Sequence, residues 1–311
     1  MSNLFRSEEE RQVTLTSKEK QMILGINSDF RTISSAYYFD NYDLPCPVRV
    51  TISKENGTDM TLVLRKNRHG VIANEIRIFK VLRTADLPVP EILVEPFLNE
   101  EGEYVAVYSL LEGENLQKLS MRSESGLEQA KELLLDAVTR LMDTTDLVRR
   151  SEIGNQLPEL TLESELNAIS ACGSPWLEET VFHSAMVKLH PVLSVVNTAL
   201  VLTNGDYQPG NFLAKGGKIT GFLDFESPSF QDPLMGFVKY PIYDMLPLSR
   251  SDIVTLFLKR NGFSKEDFDH RLALGCLKTL VKEVAISGGD QEAQEYRERV
   301  MVLLENSLRS T

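Results

Sequence analysis

Three residues in one short stretch carry groups that could hold a cation and take up a proton. Residues 203–226 read TNGDYQPGNFLAKGGKITGFLDFE, with the polar side chains of interest at Asp206, Asn211 and Asp224. The apolar run Ala199 to Leu202 leads in as a buried strand. A polar loop, 204–210, follows it. Two short apolar segments, 212–215 and 218–223, then meet at Gly216-Gly217. That pair reads as a hairpin turn, because glycine supplies the positive φ that primed turns require. In this register Asn211 falls opposite Phe222, and the period-two alternation of strands puts Asn211 and Asp224 on one face. As diagonal neighbours their Cβ atoms would lie about 7 Å apart, a separation at which an amide oxygen and a carboxylate suit one hard cation. Asp206, five residues before Asn211 in the loop, remains as a separate carboxylate.

The elements that must position this stretch can be read around it. With 311 residues the chain exceeds what one hydrophobic core usually accommodates, so two domains are expected. Residues 7–24 read as a helix, with Ser7 and Glu10 spaced as a capping box and Gly25 as its stop. Short β-like runs follow at 32–39, 48–52 and 60–64, and 70–83 is a helix with Ile72, Ile76, Phe79 and Leu82 on one face. Leu87-Pro88-Val89-Pro90 begins an extended segment, and 104–111 is a further strand. Beyond Leu116 the periodicity becomes helical. Gly126 to Met142 buries Leu127, Ala130, Leu134, Ala137, Val138 and Leu141, and helices are expected at 160–169, 177–196, 250–261, 265–286 and 291–308. The division falls near 112–119, giving a β-rich part over 1–115 and a mostly helical part over 116–311: an α+β chain.

Composition narrows the partners. The 45 Asp and Glu exceed the 33 Lys and Arg, a formal charge of −12 that argues against nucleic acid or an anionic membrane as partner. It is compatible with a cationic substrate, although acidity also simply keeps proteins soluble. No apolar run reaches the length of a membrane span, and the acidic N-terminus has no secretory pattern. Cys46, Cys172 and Cys276 are too scattered for a disulfide framework or a metal cluster, so a reducing cytoplasm is the expected setting.

The order of elements, together with Gly205-Asp206, Asn211 and Asp224, resembles the aminoglycoside phosphotransferase family, small-molecule kinases with a protein-kinase-like fold. The Asp-x4-Asn spacing with a later Asp also matches the kinase catalytic loop and metal aspartate. The resemblance implies a two-lobed fold, with a β-rich N-terminal lobe carrying one main helix and binding ATP or GTP. It implies Asp206 as catalytic base and Asn211 and Asp224 as ligands of Mg²⁺. Arg65 matches the strand cation that grips the nucleotide phosphates, and Glu75 the helix carboxylate that orients it. The implied acceptor is a small hydroxyl compound. Asp40 to Cys46 stand where a loop would cover the phosphates. Asp244, Glu283 and Asp290 are candidates to meet a cationic acceptor, Glu226 reads as a helix-start acid, and Trp176 as a packing residue. Arg65 stands where Lys is commoner, a mild departure, and two further positions depart from the pattern. Asn204 replaces the usual His before Gly205, and Gly236 stands where an acidic residue is expected after Asp232-Pro233. These departures motivate a second reading, a non-catalytic relative that binds nucleotide or metabolite as a sensor or scaffold.

Overall fold

A computed structural model describes residues 11–39, 47–67, 71–174, 177, 179–243, 245–283 and 291–309. Ser7, Glu10, the 40–46 loop, Trp176, Asp244, Asp290 and the Glu283 side chain lie outside the described residues. The chain divides into two compact units, one of Met1–Gly113 with Thr220–Ser227, the other of Glu114–Ile219 with Pro228–Thr311.

The first unit is a five-stranded antiparallel sheet. Helix α1 (Ser17–Leu24) precedes β1 (Phe30–Tyr38), β2 (Val48–Lys54) and β3 (Asp59–Asn67); α2 (Val71–Thr84), β4 (Ile92–Leu98) and β5 (Tyr104–Ser109) complete it, in the order β1-β2-β3-β5-β4. Strand alternation divides β3 between two faces. Leu62 and Leu64 join Val50, Ile52, Val105 and Val107 in a core that includes Ile23 of α1. Val63 and Arg65 point the other way, where Val63 pairs across the ladder with Tyr108. Helix α2 buries Ile72, Ile76, Phe79 and Leu82, the apolar face that its spacing predicts, and it also buries Glu75.

The helix expected over 7–24 is not continuous: residues 13–16 are not helical, and Ser17–Leu24 has its own capping box, formed by Thr16 and Glu19. Glu19 is fully buried, accepts from Asn99 Nδ2 at 2.9 Å and pairs with Lys66 Nζ at 2.8 Å, which fastens α1 to the sheet.

The second unit begins with β6 (Glu114–Asn115), α3 (Leu116–Ser120), α4 (Glu124–Asp143), α5 (Thr145–Arg149), β7 (Glu159–Leu160), α6 (Leu162–Ser170) and α7 (Thr180–Leu193). Strand β8 (Val201–Thr203) leads to the polar loop, then β9 (Phe212–Lys215) and β10 (Lys218–Phe222). The turn between them has φ +59° at Gly216 and +74° at Gly217, the left-handed values a primed hairpin turn needs. Strand β11 (Ser229–Gln231) pairs antiparallel with β8 and parallel with β7. Helices α8 (Lys239–Tyr243), α9 (Ile253–Asn261), α10 (Lys265–Lys278) and α11 (Gln291–Ser307) follow. Helix α10 passes into a π-helical turn, Thr279–Glu283, and the end of the helix expected over 265–286 lies outside the described residues. Among the described residues no helix is long and apolar enough to cross a membrane.

One ion pair organises the second unit. Arg271 of α10 and Asp232 are both almost wholly buried, and Arg271 Nη2 donates to Asp232 Oδ2 at 2.8 Å. Arg271 Nε donates to the same carboxylate, Nη1 to Asp267 O and Nη2 to Thr198 Oγ1. Asp232 Oδ1 also accepts from Leu234 N at 2.9 Å, which fixes the start of the segment leading to α8. Arg271→Met would leave the Asp232 carboxylate buried without its cation. Such breakages cost about 3–5 kcal/mol, so a lowered urea midpoint is expected, with little recovery in Arg271→Lys, which cannot reproduce the planar fork.

Candidate active site

On the first unit the site is a cation among carboxylates. Arg65 lies on the sheet face that α2 covers, and its Nη1 sits 3.1 Å from Glu75 Oε1. Its Nη2 lies 3.4 Å from Asp224 Oδ1 and also bonds Glu226 Oε1. Asp224 and Glu226 reach it because their segment belongs to this unit: Phe222 N–H donates to Pro88 O at 2.8 Å. Phe225 is buried edge-on against Phe79, with ring centroids 5.7 Å apart, and its N–H donates to Glu75 Oε1 at 3.3 Å. Glu75 accepts a further bond from the Tyr108 hydroxyl at 3.2 Å.

The electrostatics follow from this crowding. Burial opposes the charge on Arg65, but Glu75, Glu226 and Asp224 outweigh it, so the guanidinium pKa is raised. Burial first, and then the charge of Asp224, raise the Glu75 pKa, while Arg65 and the Phe225 N–H act in the other direction. Burial and the nearby Glu75 push Tyr108 up as well, so it remains a neutral donor. Glu226 does not start a helix: Ser227 and Pro228 follow it, then β11. Its carboxylate is a partner of Arg65, and the reading of it as a helix-start acid is corrected.

On the second unit the site is a carboxylate held by its own loop. Thr203 ends β8, and Gly205 takes φ +102°, a conformation glycine adopts without strain. Asp206 follows and is one-fifth exposed. Its Oδ1 accepts from Gln208 N–H at 3.1 Å and from Asn211 Nδ2 at 3.2 Å. Its Oδ2 accepts from Lys239 Nζ at 2.8 Å. The Asn211 amide nitrogen is thus engaged by the aspartate, and its oxygen is the atom suited to a cation. Neither Asn211 nor Asp224 lies within a strand: Asn211 ends a 3₁₀ turn, Pro209–Asn211, and Asp224 stands two residues past β10 at φ +60°. Simple pleat alternation therefore reaches neither residue, because the backbone leaves β geometry before each of them.

Gly236 has a steric reason. A Cβ there would fall 2.2 Å from Cδ2 of Tyr207, whose buried ring packs edge-on against Phe237 at 5.3 Å. An acidic side chain at 236 and this Tyr207 packing are mutually exclusive. Asn204 is 6% exposed, and neither of its amide atoms has a hydrogen-bond partner among the described residues. Lys239 was not singled out from the sequence. Its signal is a lone cation inside the run Leu234-Met-Gly-Phe-Val-Lys-Tyr-Pro-Ile242, where an unpaired charge would be costly.

Residues 48–243 match the phosphotransferase enzyme family. The chain belongs to that family, and it is a small-molecule kinase with the α+β, protein-kinase-like fold. No curated protein matches it. Among similar solved structures is a thermostable mutant of aminoglycoside phosphotransferase APH(4)-Ia in a ternary complex with AMP-PNP and hygromycin B. It is 14% identical, with a TM-score of 0.67 over 95% of this chain and 99% of that one. The GDP and kanamycin complex of APH(2")-IIIa is 16% identical, with a TM-score of 0.63 over 94% and 98%. A putative aminoglycoside phosphotransferase from Ralstonia eutropha JMP134 is 15% identical, with a TM-score of 0.63 over 94% and 98%. At these identities the likeness is one of fold.

The raised pKa of Glu75 gives a signed pH effect. A carboxyl whose folded pKa lies above its unfolded value favours the fold most when protonated. That contribution is complete below the ordinary value of 4.5 and is lost as pH rises through the folded pKa. The stability of the wild type should therefore gain on that of Glu75→Gln as pH falls towards 4.5 and level off below it, measured as paired urea midpoints across pH.

Proposed function

We propose that the chain transfers the γ-phosphate of ATP or GTP to a hydroxyl of a small molecule, with Asp206 as the base that accepts the hydroxyl proton. The observation that carries this reading is the Asp206 carboxylate. Its loop fixes one oxygen with a backbone N–H and the Asn211 amide, and turns the other towards an ammonium at a partly exposed position. A hydroxyl that donates to this carboxylate is oriented for attack and gives up its proton as the new P–O bond forms.

The remaining roles follow from chemistry. Phosphoryl transfer passes through a loose transition state, so positioning and charge neutralisation supply most of the rate. Arg65, held by Glu75 at the second face of its sheet, presents a fixed guanidinium that suits nucleotide phosphate oxygens. Binding phosphate there would exchange Arg65's contacts with Asp224 and Glu226 for contacts to the ligand. Asn211 and Asp224 are hard oxygen donors, which fits Mg²⁺, an ion that takes one or two protein oxygens and completes its shell with water and phosphate. When bound, Mg²⁺ would neutralise charge on the nucleotide phosphates. The related structures in complex with AMP-PNP and hygromycin B, or GDP and kanamycin, support a nucleotide donor and a small-molecule acceptor.

The unpartnered Asn204 amide is the specific observation favouring the second reading, a binding protein without turnover. The test is product formation with Mg²⁺ and ATP or GTP across amino-sugar, choline and sugar acceptors. Asp206→Asn should lower kcat by about 10²–10⁴, with the nucleotide Kd largely kept. Arg65→Ala should instead weaken nucleotide binding. Tight nucleotide binding with no phosphorylated product from any acceptor would replace the kinase reading with the sensor reading.

A further inference from the structure

The carboxylate read as the base has a cation of its own beside it, which the acidic composition of the chain hides. Lys239 is the first residue of α8, and its ammonium sits 2.8 Å from Asp206 Oδ2 with about a third of the side chain exposed. It is held there from both directions. Behind it, the Arg271–Asp232 pair fixes the segment that starts at Leu234. Beside it, Tyr240 is fully buried and donates its hydroxyl to Tyr207 O at 2.7 Å. Gly236 leaves room for the Tyr207 ring, and Phe237 packs against both Tyr207 and Phe257. Two successive residues of α8 thus clasp two successive residues of the loop, Lys239 on Asp206 and Tyr240 on Tyr207. The lysine is built into the place where a hydroxyl would approach the base.

This placement constrains the acceptor. A hydroxyl donating to Asp206 lies about 2.7 Å from a carboxylate oxygen, and the Lys239 ammonium touches that same carboxylate. On an approach along the Lys239 side of the carboxylate, a substituent one or two carbons from the hydroxyl comes within about 6 Å of the ammonium, inside a Debye length of about 8 Å at physiological salt. An ammonium on the acceptor at that distance meets a like charge, whereas a carboxylate or phosphate meets its counter-ion.

We propose that Lys239 is the specificity determinant of the acceptor site, selecting small hydroxyl compounds with an anionic group one or two carbons from the reacting hydroxyl and rejecting those with an ammonium there. The inference rests on the reading of Asp206 as the base. It gives the acceptor a local charge opposite to the one the acidic composition suggests.

The experiment compares 3-hydroxypropanoate, 1,3-propanediol and 3-amino-1-propanol in wild type, Lys239→Met and Lys239→Glu, all in the full-length protein with Mg-ATP. The readout is the apparent KM of each compound for phosphorylation or, where no transfer occurs, its Ki against slow water-dependent ADP release. Wild type should prefer the hydroxy acid over the amino alcohol by about tenfold or more. Lys239→Met should flatten the ranking and Lys239→Glu should invert it, an inversion that a purely structural lysine would not produce. An unchanged ranking in all three proteins, or a wild-type preference for the amino alcohol, overturns the inference and leaves the kinase reading standing. Acceptor phosphorylation that is as fast in Asp206→Asn as in wild type overturns the reading of Asp206 as the base, and the inference with it.

Discussion

The buried pair of Arg271 and Asp232 is the constraint on which the second unit depends. Two opposite charges withdrawn from water are stable only when every remaining hydrogen-bonding position is filled, and here the guanidinium spans a carboxylate, a backbone carbonyl and the Thr198 hydroxyl. The geometry that satisfies the arginine also dictates where the chain goes next. Asp232 receives the Leu234 N–H, the following residues turn past Tyr207, and α8 starts with Lys239 facing Asp206. A buried charge pair thereby sets the position of Lys239 beside Asp206.

The first unit uses the same logic with a different outcome. Glu75 is buried under α2 and is satisfied by an arginine, a tyrosine hydroxyl and a backbone N–H, so it cannot swing away. Arg65 has one such permanent partner and two others, Asp224 and Glu226, whose carboxylates are each about half exposed. Exposed partners are exchangeable at little cost, since ion pairs in contact with water contribute little net stability. The arginine is therefore anchored on one side and adaptable on the other.

Much of this was legible in the sequence. The apolar spacing on α2 gave its buried face, the Gly-Gly pair gave the hairpin turn, and the loop around Asp206 declared itself because its polar residues suit no core. The failures have physical causes. Pleat alternation could not place Asn211 or Asp224, since each sits where the backbone departs from β geometry. Glu226 looked like a helix-start acid because nothing local reveals an arginine 161 residues away in sequence. Gly236 looked like a lost acidic residue, and only the ring of Tyr207 shows that it makes space. Lys239 carried a readable signal, a single charge in an apolar run, but its partner depends on how α8 packs.

The segment Thr220–Ser227 belongs to the first unit although both of its flanks belong to the second. The backbone consequently passes from one unit to the other three times, and neither unit is a contiguous piece of polypeptide. A cut after residue 113 would yield two fragments, the first of which lacks Asp224 and Glu226, the carboxylates beside Arg65. In inheritance as in the laboratory, an exchange of the first unit between relatives at a single crossover would separate that arginine from its partners. The eight-residue loan ties the two units into one heritable module.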